Sequence, residues 1–137
     1  MNREKIFLIE FTDGGDITEC MNLLTQEGQG NRIIKTYGYK IHKIISSDGK
    51  VITQYNHQTG RTDLEAFRKI KEFRFVNVAK NKYNKFYWLI LEVKGFETFK
   101  EKEGLLEVLY IQSQREASPE EAKELDGIFP GYFEKCY

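Results

Sequence analysis

The chain has 137 residues, of which 40% are hydrophobic and 31% are charged, and its 21 basic side chains equal its 21 acidic ones. This length and mixed composition exclude an intrinsically disordered chain and predict one globular domain over residues 1–137. No segment approaches the roughly 18 apolar residues that a transmembrane helix needs. Cys20 and Cys136 are typical of free thiols in a reducing compartment, so we expect a cytoplasmic protein without a membrane partner.

The first predicted elements are a strand and a helix. Residues 5–12 are rich in Ile and Phe, which favours a strand. Asp16 with Glu19 three positions later has the pattern of a capping box, in which each side chain satisfies a free backbone N–H group. This pattern predicts a helix that ends near Gly28, a residue suited to a helix C-terminus.

A hairpin, a second helix and two more strands follow in the middle of the chain. Residues 39–46 and 50–55 predict two strands joined by a tight turn at 47–49. A second capping-box pattern, Thr62 with Glu65, predicts a helix through about residue 71. Strands are then predicted at 74–79 and at 86–93, with a turn at 81–84 between them and a second strand apolar enough to be buried on both faces.

The last third of the chain adds a short helix, a strand and a capped helix. Aromatic residues at helical spacing predict the short helix over residues 96–103, and an apolar run predicts a strand over 105–112. Ser118 with Glu121 gives a third capping box, strengthened by a proline at the first helical position, and this helix should end near Gly127.

These elements together predict an α+β fold with a single, mainly antiparallel sheet and two to four helices. The first six elements have the order β-α-β-β-α-β, which is the order of a ferredoxin-like unit. The remaining elements form a C-terminal β-β-α extension of that core.

The zero net charge conceals three blocks of unequal sign. Residues 32–85 contain thirteen Lys or Arg and four Asp or Glu, a net charge of +9. Residues 1–31 carry a net charge of −4, and residues 86–137 carry −5. Because a partner responds to the local field rather than to the total charge, the basic middle predicts a polyanionic partner, either nucleic acid or an acidic protein surface.

The basic block supplies candidate binding residues on a lysine-rich turn, on the predicted second helix and beside the first hairpin. These candidates are Lys80, Lys82, Tyr83, Lys85, Arg61, Arg68, Lys69, Lys71, Tyr37 and Tyr39. Basic side chains neutralise phosphates and tyrosines stack on bases, although the spacing matches no nucleic-acid recognition module. Two alternatives stay open: an ordinary solvated surface with a lysine-protected hairpin, and neutralisation of the block by the acidic residues 97–126.

The C-terminal tail is rich in aromatic side chains. They are Phe129, Tyr132, Phe133 and Tyr137. Such a tail either packs on the chain's own core or contributes to an interface with a partner or with a second copy in a homodimer.

A different reading starts from the loop that contains Asp13 and Asp16. Clustered carboxylates are what hard divalent cations prefer, so these two residues are candidates for a metal site. Together with Glu10 and either His42 or His57, such a site would suit a metal-dependent phosphoesterase. The same loop also suits a plain glycine turn followed by a helix cap, and no cofactor is expected.

The sequence therefore favours a small, non-catalytic binding or regulatory protein that acts through the basic face at residues 32–85. One alternative is a protein inhibitor or adaptor from a mobile element that acts by occluding its protein partner. The other alternative is the metal-dependent phosphoesterase.

Overall fold

The computed structural model describes residues 2–11, 24–28, 31–36, 41–59, 61–67, 69–101 and 104–132. Within these ranges lie the strands β1 (Ile6–Phe11), β2 (Leu24–Gly28), β3 (Asn31–Thr36), β4 (Ile41–Ser46), β5 (Val51–Asn56), β6 (Arg61–Thr62), β7 (Phe73–Lys80), β8 (Phe86–Glu101) and β9 (Gly104–Glu116). The same ranges contain the helix α1 (Pro119–Ile128) and two short 3-10 helices, Arg3–Lys5 and Glu65–Phe67.

The strands form one mixed sheet in the order β2-β3-β9-β8-β7-β1-β4-β5-β6. Neighbouring strands are antiparallel except for β1 and β7, which are parallel. The prediction of an α+β fold with a single, mainly antiparallel sheet is therefore confirmed. Strand β8 pairs with β7 as far as Val93 and then continues against β9 to Glu101, so the β8–β9 hairpin extends beyond the centre of the sheet.

The ferredoxin-like arrangement is not confirmed. A split βαβ unit places a third strand between its two parallel strands. Here the parallel strands β1 and β7 are direct neighbours, with Phe7 opposite Phe75. The hairpin of β4 and β5 lies on the other side of β1, so it extends the sheet instead of separating the parallel pair.

The prediction of two to four helices is not confirmed either. Residues 96–103 are not a helix as far as they are described, because β8 pairs with β9 through Glu101. The expected second helix contains only the short turn Glu65–Phe67. The first predicted helix starts at Asp16, so its residues 16–23 lie outside the described ranges, and its expected end is the strand Leu24–Gly28.

One face of the sheet, which we call the aromatic face, is packed around the four phenylalanines Phe7, Phe67, Phe73 and Phe75. All four are at most 5% exposed. Phe67 comes from the segment after β6 and lies against the rings of the strands, with centroids 4.9 Å from Phe7 and 5.3 Å from Phe75. This segment therefore covers the sheet where a helix was predicted.

The opposite face, which we call the helix face, packs against α1. Its core includes Val76, Trp88 and Ile90 from the strands together with Leu125 and Phe129 from the C-terminal region. Burial on both faces explains the continuous apolar run of β8, since Trp88 and Ile90 face α1 while Leu89 and Leu91 face the aromatic side.

Helix α1 begins where the sequence predicts it. The Ser118 side chain accepts a hydrogen bond from the Glu121 backbone at 3.2 Å, and the Glu121 carboxylate accepts one from the Ser118 backbone at 3.1 Å. Both halves of the predicted capping box are thus present, and Pro119 occupies the first turn. This reciprocal bonding fixes the direction in which the chain leaves β9.

Trp88 links the C-terminal region to the sheet, and the substitution of Trp88 provides a first prediction. Its indole N–H donates to the Asp126 carboxylate at 2.9 Å, and its ring stacks on Tyr132. Trp88→Phe keeps most of the ring packing but loses the hydrogen bond, so we expect about 1–2 kcal/mol less stability in a urea titration. Asp126→Asn, which keeps a side-chain acceptor, is the control and should cost less; equal losses would contradict this account.

No helix in the described part of the chain has the length and apolar character needed to span a membrane.

Candidate partner-binding site

The turn between β7 and β8 presents three lysines and a tyrosine to solvent. We call this group, Lys80, Lys82, Tyr83 and Lys85, the lysine tip. All four side chains are exposed, and Tyr83 is 71% exposed. A partner that covers the Tyr83 ring would remove apolar area from water, which is favourable by about 25 cal/mol for each Å² buried.

A network of hydrogen bonds from Asn81 gives this turn a defined shape. The Asn81 side-chain oxygen accepts from the backbone N–H groups of Tyr83 at 2.9 Å and of Lys85 at 3.0 Å. The Asn81 backbone N–H donates to the Lys85 carbonyl at 2.9 Å, and Asn84 adopts the left-handed conformation that closes the turn. Sequence analysis did not single out Asn81, although an asparagine that begins a turn is a recognisable signal.

Two of the three ammonium groups of the lysine tip lie beside aromatic rings. The Lys80 Nζ is 5.7 Å from the centroid of Phe86, and the Lys82 Nζ is 5.1 Å from that of Tyr83. No ion pair joins the tip lysines to a carboxylate of the described residues. Their positive charge is therefore available to a partner.

Other titratable side chains lie at the same end of the sheet as the lysine tip, because β1 and β7 run parallel and β4 starts beside the end of β1. Lys43 forms an ion pair with Glu10 at 3.6 Å, so these two charges compensate each other. His42 is exposed, and exposed His57 contacts the Tyr55 ring edge-on.

The structure does not bring the whole basic block together. Lys69 and Lys71 are exposed but lie before the first residue of β7, whereas the lysine tip begins at its last residue, Lys80. An eight-residue strand is about 23 Å long, so these two groups lie at opposite ends of the sheet. Arg61 belongs to β6, on the far side of β4 and β5. Arg68, Tyr37 and Tyr39 lie outside the described residues.

The described contacts of the acidic residues Glu121 and Asp126 are to side chains outside the lysine tip. Glu121 binds the Arg115 guanidinium with both carboxylate oxygens, at 2.5 and 2.8 Å, and Asp126 accepts from Trp88. The expectation that this acidic block neutralises the basic block therefore finds no support at the lysine tip among the residues described.

The ion pair between Arg115 and Glu121, at 2.5 Å, is the shortest salt bridge in the described part of the chain. The Arg115 guanidinium and the hydrogen bonds of Ser118 hold the pKa of Glu121 down at about 2, and the same contact raises the pKa of Arg115. Arg115 also binds the Glu92 carboxylate at 2.9 Å, and Arg74 approaches that carboxylate at 3.6 Å. This network joins β7, β8, β9 and α1 and has a structural role.

Of the two alternatives for the aromatic tail, the structure shows packing on the chain's own core for its first two residues. Phe129 is 7% exposed and lies in the core of the helix face, and Tyr132 packs against the same cluster. Phe129 therefore has almost no surface left for an interface, whereas Tyr132 stays partly exposed. Phe133 and Tyr137 lie outside the described residues.

The two carboxylates predicted as the centre of a metal site lie outside the described ranges. Asp13 and Asp16 fall there, and Glu10 is engaged by Lys43. Within the described ranges, no three His, Cys, Asp or Glu side chains form a group that could hold a metal ion. The phosphoesterase reading stays a prediction from the sequence.

Comparison of the chain with models of known protein families, with curated proteins and with solved structures found no match.

Proposed function

We propose that the protein is a non-catalytic binding protein that docks its lysine tip on an acidic surface of a protein partner. The observation that carries this proposal is the 71% exposure of Tyr83 on a turn whose three lysines have no ion-pair partner among the described residues. A partner that covers this ring would bury apolar area, and an acidic surface on the partner would pair with the three lysines around it.

The shape of the turn favours a specific contact over a diffuse one. The hydrogen bonds of Asn81 hold the turn before binding, so less conformational entropy is lost when a partner is met. Tyrosine is among the side chains that contribute most to protein interfaces, since it buries a large area with few rotatable bonds. The lysines would steer the encounter and align the tip on an acidic surface.

An acidic protein fits better than nucleic acid because the remaining lysines lie elsewhere. Lys69 and Lys71 are separated from the tip by the length of β7, so the described residues offer no continuous basic stripe for a phosphate backbone. Three lysines that contact phosphates would give a slope of only about −2.7 in a plot of log affinity against log salt. Binding by the tip would block the surface that it covers, which is how an inhibitor or adaptor of the occluding type would act.

The prediction that tests this function is a triple charge reversal at the tip. Lys80→Glu, Lys82→Glu and Lys85→Glu together should weaken binding about 30-fold or more at low salt, first to poly-L-glutamate and then to the purified partner. The matched control reverses Lys50, Lys69 and Lys71, which are exposed residues away from the tip, and carries the same change in net charge. Biolayer interferometry across a salt series provides the affinities, and circular dichroism verifies folding.

The two kinds of tip residue should differ in kinetics. The lysine reversal should mainly lower the association rate, whereas Tyr83→Ala should mainly raise the dissociation rate. Equal weakening by the tip triple and the control triple would show that binding depends on total charge and would overturn the assignment. Tight binding of DNA or RNA, with a steeper salt dependence than three contacts allow, would replace the acidic protein by nucleic acid.

A further inference from the structure

A groove of about 370 Å³ lies at the end of the sheet opposite the lysine tip. Its floor consists of three buried apolar residues at the end of the strands, of which Phe73 and Val93 belong to the core of the aromatic face and Ile6 to that of the helix face. Its polar lining includes Lys5, Arg74, Glu92 and Gln112, which come from the 3-10 helix before β1 and from β7, β8 and β9. A volume of this size is within the range of small-molecule sites, about 300–1,000 Å³.

The register of the sheet places Arg74 and Glu92 side by side. Arg74 on β7 pairs with Ile6 on β1 and with Glu92 on β8, so these three residues form a row across strands about 4.8 Å apart, whose charged members are Arg74 and Glu92. Lys5, which ends the short 3-10 helix before Ile6, adds a second cationic group to the lining of the groove. Residues far apart in sequence form this row, which is why sequence analysis did not find it.

Each of the three charged groups has bonding capacity left for a ligand. The Lys5 ammonium makes one hydrogen bond, to the Lys71 carbonyl at 3.2 Å. The Arg74 guanidinium has five N–H donors, and its contact among the described residues is a 3.6 Å approach to Glu92. Glu92 uses Oε1 for its arginine contacts, and no described residue engages its Oε2.

The backbone around the groove is irregular in two places. Strand β8 shifts register against β9 between Glu92 and Val93 and again before Gly95, and such bulges often lie beside binding sites. Glu72, which also lines the groove, has a φ of 53°, a left-handed conformation that is unfavourable for a residue other than glycine. Both irregularities border the charged row.

We propose that this groove binds a small zwitterion of the amino-acid class. Its carboxylate would lie between Lys5 and Arg74, its ammonium group would bind the free oxygen of Glu92, and its side chain would cover the apolar floor. A ligand with only negative charge fits less well, because Glu72 and Glu92 would repel it. This site is separate from the lysine tip and does not depend on its function.

The test is a titration of the full chain with each of the twenty amino acids, with acetate and with inorganic phosphate, followed by backbone amide chemical shifts. We expect at least one amino acid to shift the amides of β1, β7 and β8 and to bind about tenfold more tightly than acetate or phosphate. Lys5→Gln and Arg74→Gln should each raise that dissociation constant about tenfold or more. Lys50→Gln, which replaces an exposed lysine outside the groove, should leave it unchanged.

Three outcomes would overturn the proposal. The first is no shift in these amides at about 10 mM of any amino acid. The second is binding of acetate or phosphate as tight as that of the amino acid, which would make the groove a simple anion site. The third is an unchanged affinity in the Lys5→Gln variant. The Lys5 side chain is exposed, so this substitution leaves the core intact and keeps the test possible even if Arg74→Gln does not fold.

Discussion

Phe67→Ala is expected to lower the free energy of unfolding by about 4 kcal/mol, the largest stability change among the substitutions considered. Phe67 is fully buried, and its ring contacts the rings of Phe7, Phe73 and Phe75 at centroid distances of 4.9, 5.4 and 5.3 Å. Truncation of a buried Phe removes its hydrophobic transfer energy and leaves a cavity, which together cost about 3–5 kcal/mol. Urea titration monitored by circular dichroism measures the change.

Two controls show whether the loss comes from burial. Phe67→Leu fills most of the space and should cost about 1–1.5 kcal/mol, since it loses the aromatic contacts but leaves little cavity. Tyr83→Ala removes an exposed ring and should change stability by less than about 0.5 kcal/mol. A loss below about 2 kcal/mol for Phe67→Ala would mean that the segment after β6 does not cover the aromatic face as described.

The same segment shows why its helix could not be predicted from local pattern. Thr62, the expected cap, is fully buried and pairs with Tyr55 as part of β6. Asp63 instead accepts the backbone N–H of Glu65 at 2.9 Å, and a single short turn follows. Contacts of Phe67 with distant strands outweigh the small local preference for helix.

Where the local pattern and the tertiary contacts agree, the sequence predicted the structure well. The reciprocal bonds of Ser118 and Glu121 lie within one helical turn and no tertiary contact opposes them, so α1 was predictable to within a residue or two. The turn at 47–49 is another case, with Gly49 at a φ of 87°. The prediction of a helix over residues 96–103 is wrong because aromatic residues at this spacing also fit a strand, and β9 provides the partner strand.

The charge pattern predicted the lysine tip but not its isolation from the other lysines. Consecutive residues of one turn stay together in any fold, so Lys80 to Lys85 could be grouped from the sequence alone. Lys71 lies nearby in sequence, yet strand β7 carries it to the other end of the sheet. The groove could not be predicted, since Arg74 and Glu92 become neighbours only through strand pairing, and Lys5 comes to the same groove from the other end of the sequence.

Arg115→Met should lower the free energy of unfolding by about 2–3 kcal/mol at pH 7. The guanidinium binds both oxygens of Glu121 and also donates to Glu92, and hydrogen bonds to charged groups contribute about 1.5–3 kcal/mol. The Arg115 side chain is 36% exposed, so water partly screens the interaction in wild type and hydrates the carboxylates that lose the guanidinium in Arg115→Met. Arg74 remains near Glu92 in the variant and limits the loss further.

The pH dependence of this loss follows from the depressed pKa of Glu121, which is about 2 in the folded protein against 4.5 as its ordinary value. A carboxylate with a lowered folded pKa stabilises the fold above its unfolded pKa, and that stabilisation disappears as the pH falls from about 4.5 to about 2. Wild type should therefore lose stability in this window, and Arg115→Met should lose less. The difference between the two proteins should shrink towards low pH.

A double-mutant cycle that combines Arg115→Met with Glu121→Gln separates the ion pair from the packing of the arginine stem. The amide introduced by Glu121→Gln keeps an oxygen that can accept from the backbone of Ser118, so the helix cap can persist while the charge is lost. We expect a coupling energy of about 1–2 kcal/mol at pH 7 and almost none near pH 2, measured by urea titration at each pH. A coupling energy that stayed constant over this range would show that Arg115 stabilises α1 through its aliphatic stem and not through its charge.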